Sequence, residues 1–308
     1  MKQTTIKIGT RGSQLALYQA ELTKSTLENN FPEIIFEIVV IQTKGDKILD
    51  VALSKIGDKG LFTKEIENAL LDHTVDIAVH SLKDLPTTLP DGLTLGAVLE
   101  RGEFRDALVS RSGRRLYELT ENDVIATSSL RRKASLMRYN QKFNIIDIRG
   151  NVNTRLKKME EGYCDAMIMA AAGLQRLELD SYITEIINPE VIIPAASQGI
   201  IAIESRAGDQ RTSDLLTAIN HLRTWNAGMA ERSFLRTVEG GCQVPVGCFS
   251  YLNGDTFFLT GFVASMDGSV YLLETDNGPA SEPQKIGERL AQRLLARGAG
   301  EIMDEIRK

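Results

Sequence analysis

Aromatic residues are scarce in this chain, at 6% with a single Trp. Apolar residues make up 43%, yet no tract is long and apolar enough to span a bilayer, so no membrane segment is expected. Only three histidines occur (His73, His80 and His221), none at a metal-ligand spacing from a cysteine. A zinc site is therefore not expected. The cysteines are also three (Cys164, Cys242 and Cys248). An odd number at irregular spacing argues against a disulfide framework. The opening residues, Met1-Lys2-Gln3-Thr4-Thr5-Ile6, lack an apolar signal core and a small-residue cleavage site, and the expected compartment is the cytosol. Basic residues do not predominate: 36 Lys and Arg stand against 41 Asp and Glu, a net charge of −5, which speaks against nucleic acid as the main partner. No internal repeat at a fixed period and no low-complexity segment is visible.

What is present is distributed unevenly. A length of 308 residues suits two or three compact domains, and 25% charged residues is ordinary for a globular protein. Within this acidic chain, arginine recurs through the middle as Arg131, Arg132, Arg149, Arg155 and Arg176. A cationic region in an acidic protein points to a small ligand carrying several negative charges.

Short β-branched runs alternate with amphipathic segments from the start. Thr5 to Gly9 reads as a strand. Ser13 reads as an N-cap, with Leu15, Tyr18 and Leu22 following at helical spacing. Further strands are expected at 36–43, 76–80, 93–99, 124–127, 145–148, 166–169 and 199–205. Helices are expected at 61–71, from Ser128 or Ser129 to Tyr139, and from Asn151 or Asn153 toward Glu161. This alternation predicts parallel sheets with helices on their faces. From Trp225 the style changes to a helix, a Gly-Gly loop, three strands (246–251, 256–263, 270–274) and a helix from about Pro283, an antiparallel α+β pattern. Asn253-Gly254-Asp255 and Met266-Asp267-Gly268 suit tight hairpin turns.

Five segments could carry chemistry. Gly9-Thr10-Arg11-Gly12-Ser13-Gln14 sits where a strand gives way to a helix. Backbone N–H groups and the helix dipole there favour an anion, and Arg11 adds a fork for a carboxylate. The glycine spacing of dinucleotide sites is absent, and an ordinary strand-to-helix turn is the alternative. His80-Ser81-Leu82-Lys83-Asp84-Leu85-Pro86 follows an apolar strand, at the end where α/β ligand sites form. An acid beside a lysine can be held ionised to stabilise a cation or move a proton. A solvated Lys-Asp pair is the alternative.

Thr127-Ser128-Ser129-Leu130-Arg131-Arg132 puts two hydroxyls at a helix start and two arginines in its first turn. Cations there oppose the helix dipole, and a bound anion would compensate; otherwise this is a surface helix with untuned charge. Asp147-Ile148-Arg149-Gly150-Asn151-Val152-Asn153-Thr154-Arg155 repeats the design, and Arg176 follows another strand. In Glu239-Gly240-Gly241-Cys242-Gln243-Val244-Pro245, two glycines display a thiol on an adaptable loop, which suits covalent attachment. No histidine lies nearby to activate it. Cys164 and Cys248, among apolar neighbours, read as buried small hydrophobes.

Taken in order, these segments resemble the signature segments of the porphobilinogen deaminase family, from Ile8 to Gly247, most weakly in the C-terminal region. The resemblance implies two alike, hinged α/β domains similar to type II periplasmic binding proteins, with the active cleft between them. A smaller α+β domain with a three-stranded antiparallel sheet would follow. The expected bounds are 1–99 plus 200–217, 100–199 and 218–308. It implies a transferase of porphyrin and haem biosynthesis. A dipyrromethane cofactor, made from the enzyme's own substrate, would be attached by a thioether to Cys242. Four porphobilinogen molecules would be added in turn with loss of ammonia, and hydrolysis would release hydroxymethylbilane. Asp84 would be the catalytic carboxylate, stabilising the cationic azafulvene formed on deamination. Ser81, Lys83, Thr127, Ser129, Arg131, Arg132, Arg149 and Gly150 would bind the cofactor. Arg11, Ser13, Arg149, Arg155 and Arg176 would serve the substrate and growing chain. Lys55 and Lys59, near Gly57 and Gly60, would belong to a lid or to a plain solvated loop.

Two departures stand out: Ala126 where glycine is expected before Thr127, and Ala196-Ser197 where glycine is expected beside Gln198. Two other classes compete. A non-catalytic solute-binding protein would use the lobes and anion cradles but leave the Gly-Gly-Cys loop idle. A ligand-sensing regulator would need a helix-turn-helix. A monomer is expected, since no heptads or apolar interaction face are evident.

Overall fold

The computed structural model describes residues 5–47, 63–238 and 244–307. In chain order the first elements are β1 (Thr5–Thr10), α1 (Gln14–Asn30), β2 (Ile35–Val40), α2 (Lys44–Lys47), α3 (Lys64–Leu71), β3 (Ile77–Ser81) and β4 (Leu93–Val98). Next come β5 (Asp106–Ser110), β6 (Val124–Ala126), α4 (Leu130–Tyr139), β7 (Asn144–Ile146), α5 (Val152–Glu160), β8 (Ala166–Ala170), α6 (Ala171–Gln175) and β9 (Glu185–Ile186). The remainder is β10 (Ile201–Arg206), α7 (Gln210–Ile219), α8 (Leu222–Thr237), β11 (Val246–Asn253), β12 (Thr256–Ala264), β13 (Tyr271–Pro279), α9 (Pro283–Ala296) and α10 (Ala299–Arg307).

The chain divides into two units, Met1–Gly102 with Ile200–Trp225, and Glu103–Gly199 with Asn226–Lys308. The first unit is built on a five-stranded sheet of order β2-β1-β3-β10-β4. β1 runs parallel to β2 and β3, while β10 runs antiparallel to both β3 and β4. Ile77, Ala78 and Val79 of β3 are all buried, as a central strand covered on both faces requires. One face packs Ile6, Ile8, Val79 and Ile203 under α1 and α7; the other packs Ala78 with Ile66 and Leu70 of α3.

The second unit repeats the topology, with order β7-β6-β8-β5-β9, three parallel strands and an antiparallel fourth. It also holds the antiparallel meander β11-β12-β13, closed at one end by the tight Asn253–Thr256 hairpin with Gly254 at φ +59°. Phe234 of α8 and Ile286, Leu290 and Leu294 of α9 fill the core under that sheet.

Three expectations need correction. The two larger sheets are mixed rather than parallel, because a strand arriving from elsewhere in the chain (β10 in one, β5 in the other) enters each against its neighbours. β5 and α7 escape a periodicity reading altogether; β5 is short and opens on a charge, Asp106, that is fully buried. The helix after Ser13 forms as expected, but Tyr18 and Leu22 are each 40% exposed. Its buried face is instead Gln19, Ala20, Thr23 and Leu27, so partly polar residues face the sheet. The shared topology of the two sheets has no counterpart in a sequence repeat, since matching strand order needs matching patterns, not matching residues.

Candidate active site

In the first unit, β1 and β3 deliver two of the expected segments to one place. Ser13 caps α1, its Oγ accepting from Ala16 N at 3.3 Å. A single 3₁₀ turn, Leu82–Asp84, follows β3 and leaves Asp84 exposed while Leu82 is buried. Arg11, Ser13, Ser81 and Asp84 thereby line one small cavity of about 70 Å³, together with Gln19, Thr63 and His80. Gln19 is buried and donates from Nε2 to Ser81 Oγ at 2.9 Å, which fixes that hydroxyl. Lys83 is half-buried in the same turn. Behind the cavity, His80 Nε2 lies 3.1 Å from Glu204 Oε2, close enough for an ion pair but not aligned as a hydrogen bond. Glu67 lies near both; burial pushes its carboxyl up, and the Glu204 charge pushes it the same way.

In the second unit the arginines gather around the starts of α4 and α5. Arg131 and Arg132 are buried and share one carboxylate: Arg131 Nη1 donates to Asp106 Oδ2 at 2.8 Å and Arg132 Nη2 to Oδ1 at 2.7 Å. Arg131 also donates to Ile193 O, and Arg132 Nη1 to Ile168 O at 2.9 Å. Burial alone would raise the Asp106 carboxyl, but the two guanidiniums outweigh it and hold it far below the usual carboxylate range. The compensating anion that two cations in the first turn of α4 call for is thus partly supplied from within. Thr127 is buried, and its Oγ1 accepts from Ser129 N at 3.3 Å, shaping the turn into α4. Ser129 is the N-cap residue but makes no side-chain capping bond.

Asn151 caps α5, accepting from Thr154 N at 2.9 Å. Gly150 precedes it at φ +118°, where a Cβ would meet Thr154 Cγ2 at 2.6 Å, so only glycine fits. Gly150 O accepts from Arg155 Nε at 2.7 Å. Burial first, then the charges of Arg132 and Arg149, bring the Arg155 guanidinium down to about 10. It remains charged at neutral pH, so three cations are held together against their mutual repulsion. Arg176 donates from Nη2 to Gly199 O at 2.6 Å.

Cys242, Lys55 and Lys59 lie outside the described residues. Cys164 and Cys248 are buried, as expected, and burial pushes the Cys164 thiol up to about 11. Of the two departures, Ala126 is buried within β6. Ser197 adopts φ +64°, the left-handed conformation that the expected glycine would take without strain. Sequence reasoning missed Asp106, Gln198, Gln19 and the His80–Glu204 contact. Only a charge opening an apolar run, Asp106-Ala107-Leu108-Val109, could have signalled the first.

Two family models match the chain: "Porphobilinogen deaminase, dipyromethane cofactor binding domain" over residues 6–214, and "Porphobilinogen deaminase, C-terminal domain" over residues 225–296. The porphobilinogen deaminase of Moorella thermoacetica is 48% identical over 302 residues, covering 98% of this chain and 96% of that protein. That of Synechococcus elongatus is 50% identical over 304 residues, covering 98% and 95%. Among solved structures, the periplasmic VFT2 domain of Bordetella pertussis BvgS is similar at 12% identity, with a TM-score of 0.42, over 70% of this chain and 86% of that one. With both models and near-full-length relatives in agreement, the chain belongs to the porphobilinogen deaminase family.

Proposed function

We propose that this chain joins porphobilinogen units head to tail, with loss of ammonia, on a dipyrromethane attached to Cys242, and releases hydroxymethylbilane. The observation that carries the reading is the cavity that sets the Asp84 carboxylate beside Arg11, Ser13 and Ser81, in a chain of this family. Each porphobilinogen carries an acetate and a propionate. Arg11 and the Ser13 hydroxyl bind such carboxylates, and Asp84 stabilises the cation left when ammonia departs and accepts a proton.

The second unit suits a ligand with several carboxylates. Arg132, Arg149 and Arg155 are mutually repulsive, and the Arg132 Nε is a buried donor with no partner among the described residues. Both features ask for an anion. Arg131, Arg132, Arg149 and Gly150, with Thr127 and Ser129, would hold carboxylates of the dipyrromethane; Arg149, Arg155 and Arg176 would hold the substrate and growing chain. The bound group supplies the pyrrole carbon to which the first unit is joined. We propose three domains, 1–99 with 200–217, 100–199 and 218–308, the last carrying Cys242. No helix among the described residues is long and apolar enough to cross a membrane. A cytosolic monomer is the form we propose.

The test is the intact mass of the purified, denatured protein beside a Cys242→Ser variant. An excess of two deaminated porphobilinogen units, lost in the variant, is expected. An unmodified mass after incubation with porphobilinogen would sink the reading.

A further inference from the structure

Asp106 is the first residue of β5, fully buried, and its single carboxylate engages Arg131 at 2.8 Å, Arg132 at 2.7 Å and Gln198 Nε2 at 2.9 Å. Gln198 also donates to Phe104 O at 2.8 Å, two residues before Asp106. The backbone just ahead of Gln198 is held in turn: Ser197 N donates to Glu231 Oε2 of α8 at 2.6 Å, and Ser250 Oγ of β11 donates to Glu231 Oε1 at 2.6 Å. On the other side, β11 approaches so closely that a Cβ on Gly247 would meet Arg131 Cδ at 2.7 Å and Pro194 O at 2.4 Å. A continuous bonded path therefore runs from the C-terminal sheet and helix to the arginine pair.

Two buried guanidiniums balanced by one carboxylate are a poor device for stability, since apolar side chains of similar volume do as well or better. They make sense if their planes must be fixed before a ligand arrives. We infer that Asp106 is the positioning residue of the Arg131–Arg132 pair, orienting both guanidiniums toward ligand carboxylates through a network anchored on Glu231 and Gln198. The inference rests on the carboxylate-binding role proposed for that pair.

Charge and position predict opposite signs. Asp106→Asn adds one net positive charge to the site. If Asp106 were only a counter-charge, the variant would bind anions more tightly. As a positioning residue, its loss lowers the fraction of purified chains carrying the two-unit mass excess about tenfold. Full loading of the variant would overturn the inference. A second measurement needs no Asp106 variant and covers the case in which Asp106→Asn does not fold. In ¹⁵N-labelled Cys242→Ser protein, the Arg131 and Arg132 side-chain signals, assigned by their loss in Arg131→Gln and Arg132→Gln, are expected to show slow guanidinium rotation. Freely averaging signals from that pair would refute pre-positioning. If the wild-type mass shows no excess at all, the cofactor reading fails, while the side-chain signals still judge the role of Asp106.

Discussion

Ser197 illustrates what one residue contributes. Its φ of +64° is strained for a side chain with a Cβ, and its buried hydroxyl has no partner among the described residues. Ser197→Gly should raise stability by roughly 1 kcal/mol, the left-handed penalty of about 1–2 kcal/mol less the added freedom of glycine in the unfolded chain. Denaturant unfolding reads this, and a loss of stability would mean the hydroxyl is engaged after all. Arg155 behaves oppositely. Its folded-state value near 10 is depressed, so the unfolded chain binds the proton more tightly, and the penalty persists at neutral pH until the pH climbs past that value. Arg155→Met is therefore expected to leave the melting temperature of Cys242→Ser protein no lower, while raising KM for porphobilinogen on the order of tenfold in the otherwise wild-type enzyme. A large drop in melting temperature would assign the cation to folding. For Asp106 the folded value lies below the unfolded one. Its contribution is complete above the ordinary carboxylate range near pH ~4 and is lost as pH falls further. Asp106→Asn should flatten the acid limb of the stability profile.

At the scale of elements, the strand-to-helix junctions explain why the motifs lie where they do. α1 and α5 are each opened by a side-chain cap, Ser13 and Asn151, and each places an arginine beside its first turn. The junction before α5 depends on Gly150. Gly150→Ala would put a Cβ against Thr154 in a backbone region that only glycine tolerates. A destabilisation of about 1–3 kcal/mol is expected, with weaker substrate binding because Gly150 O no longer orients Arg155. A variant as stable as wild type with unchanged KM would show that the junction is not a binding element. Such junctions were readable locally, since caps and glycines act over three or four residues. The buried face of α1 was not: Tyr18 and Leu22 look apolar, yet Gln19 is the residue turned inward to hold Ser81.

For the whole molecule, sedimentation should give a concentration-independent monomer; a dimer would refute the proposed state. The order of the five motifs, the family and the class of most elements, though not of β5 or α7, were contained in the residues themselves, because capping, turn chemistry and periodicity are short-range properties. Which strands run against their neighbours was decided only in three dimensions, by β5 and β10 entering sheets that their local sequence does not specify. The same holds for Asp106. It lies 25 residues before Arg131 and 92 before Gln198, and nothing in its neighbourhood announces either partner. Only folding removes these groups from water, and a buried charge must then find its partners across the chain.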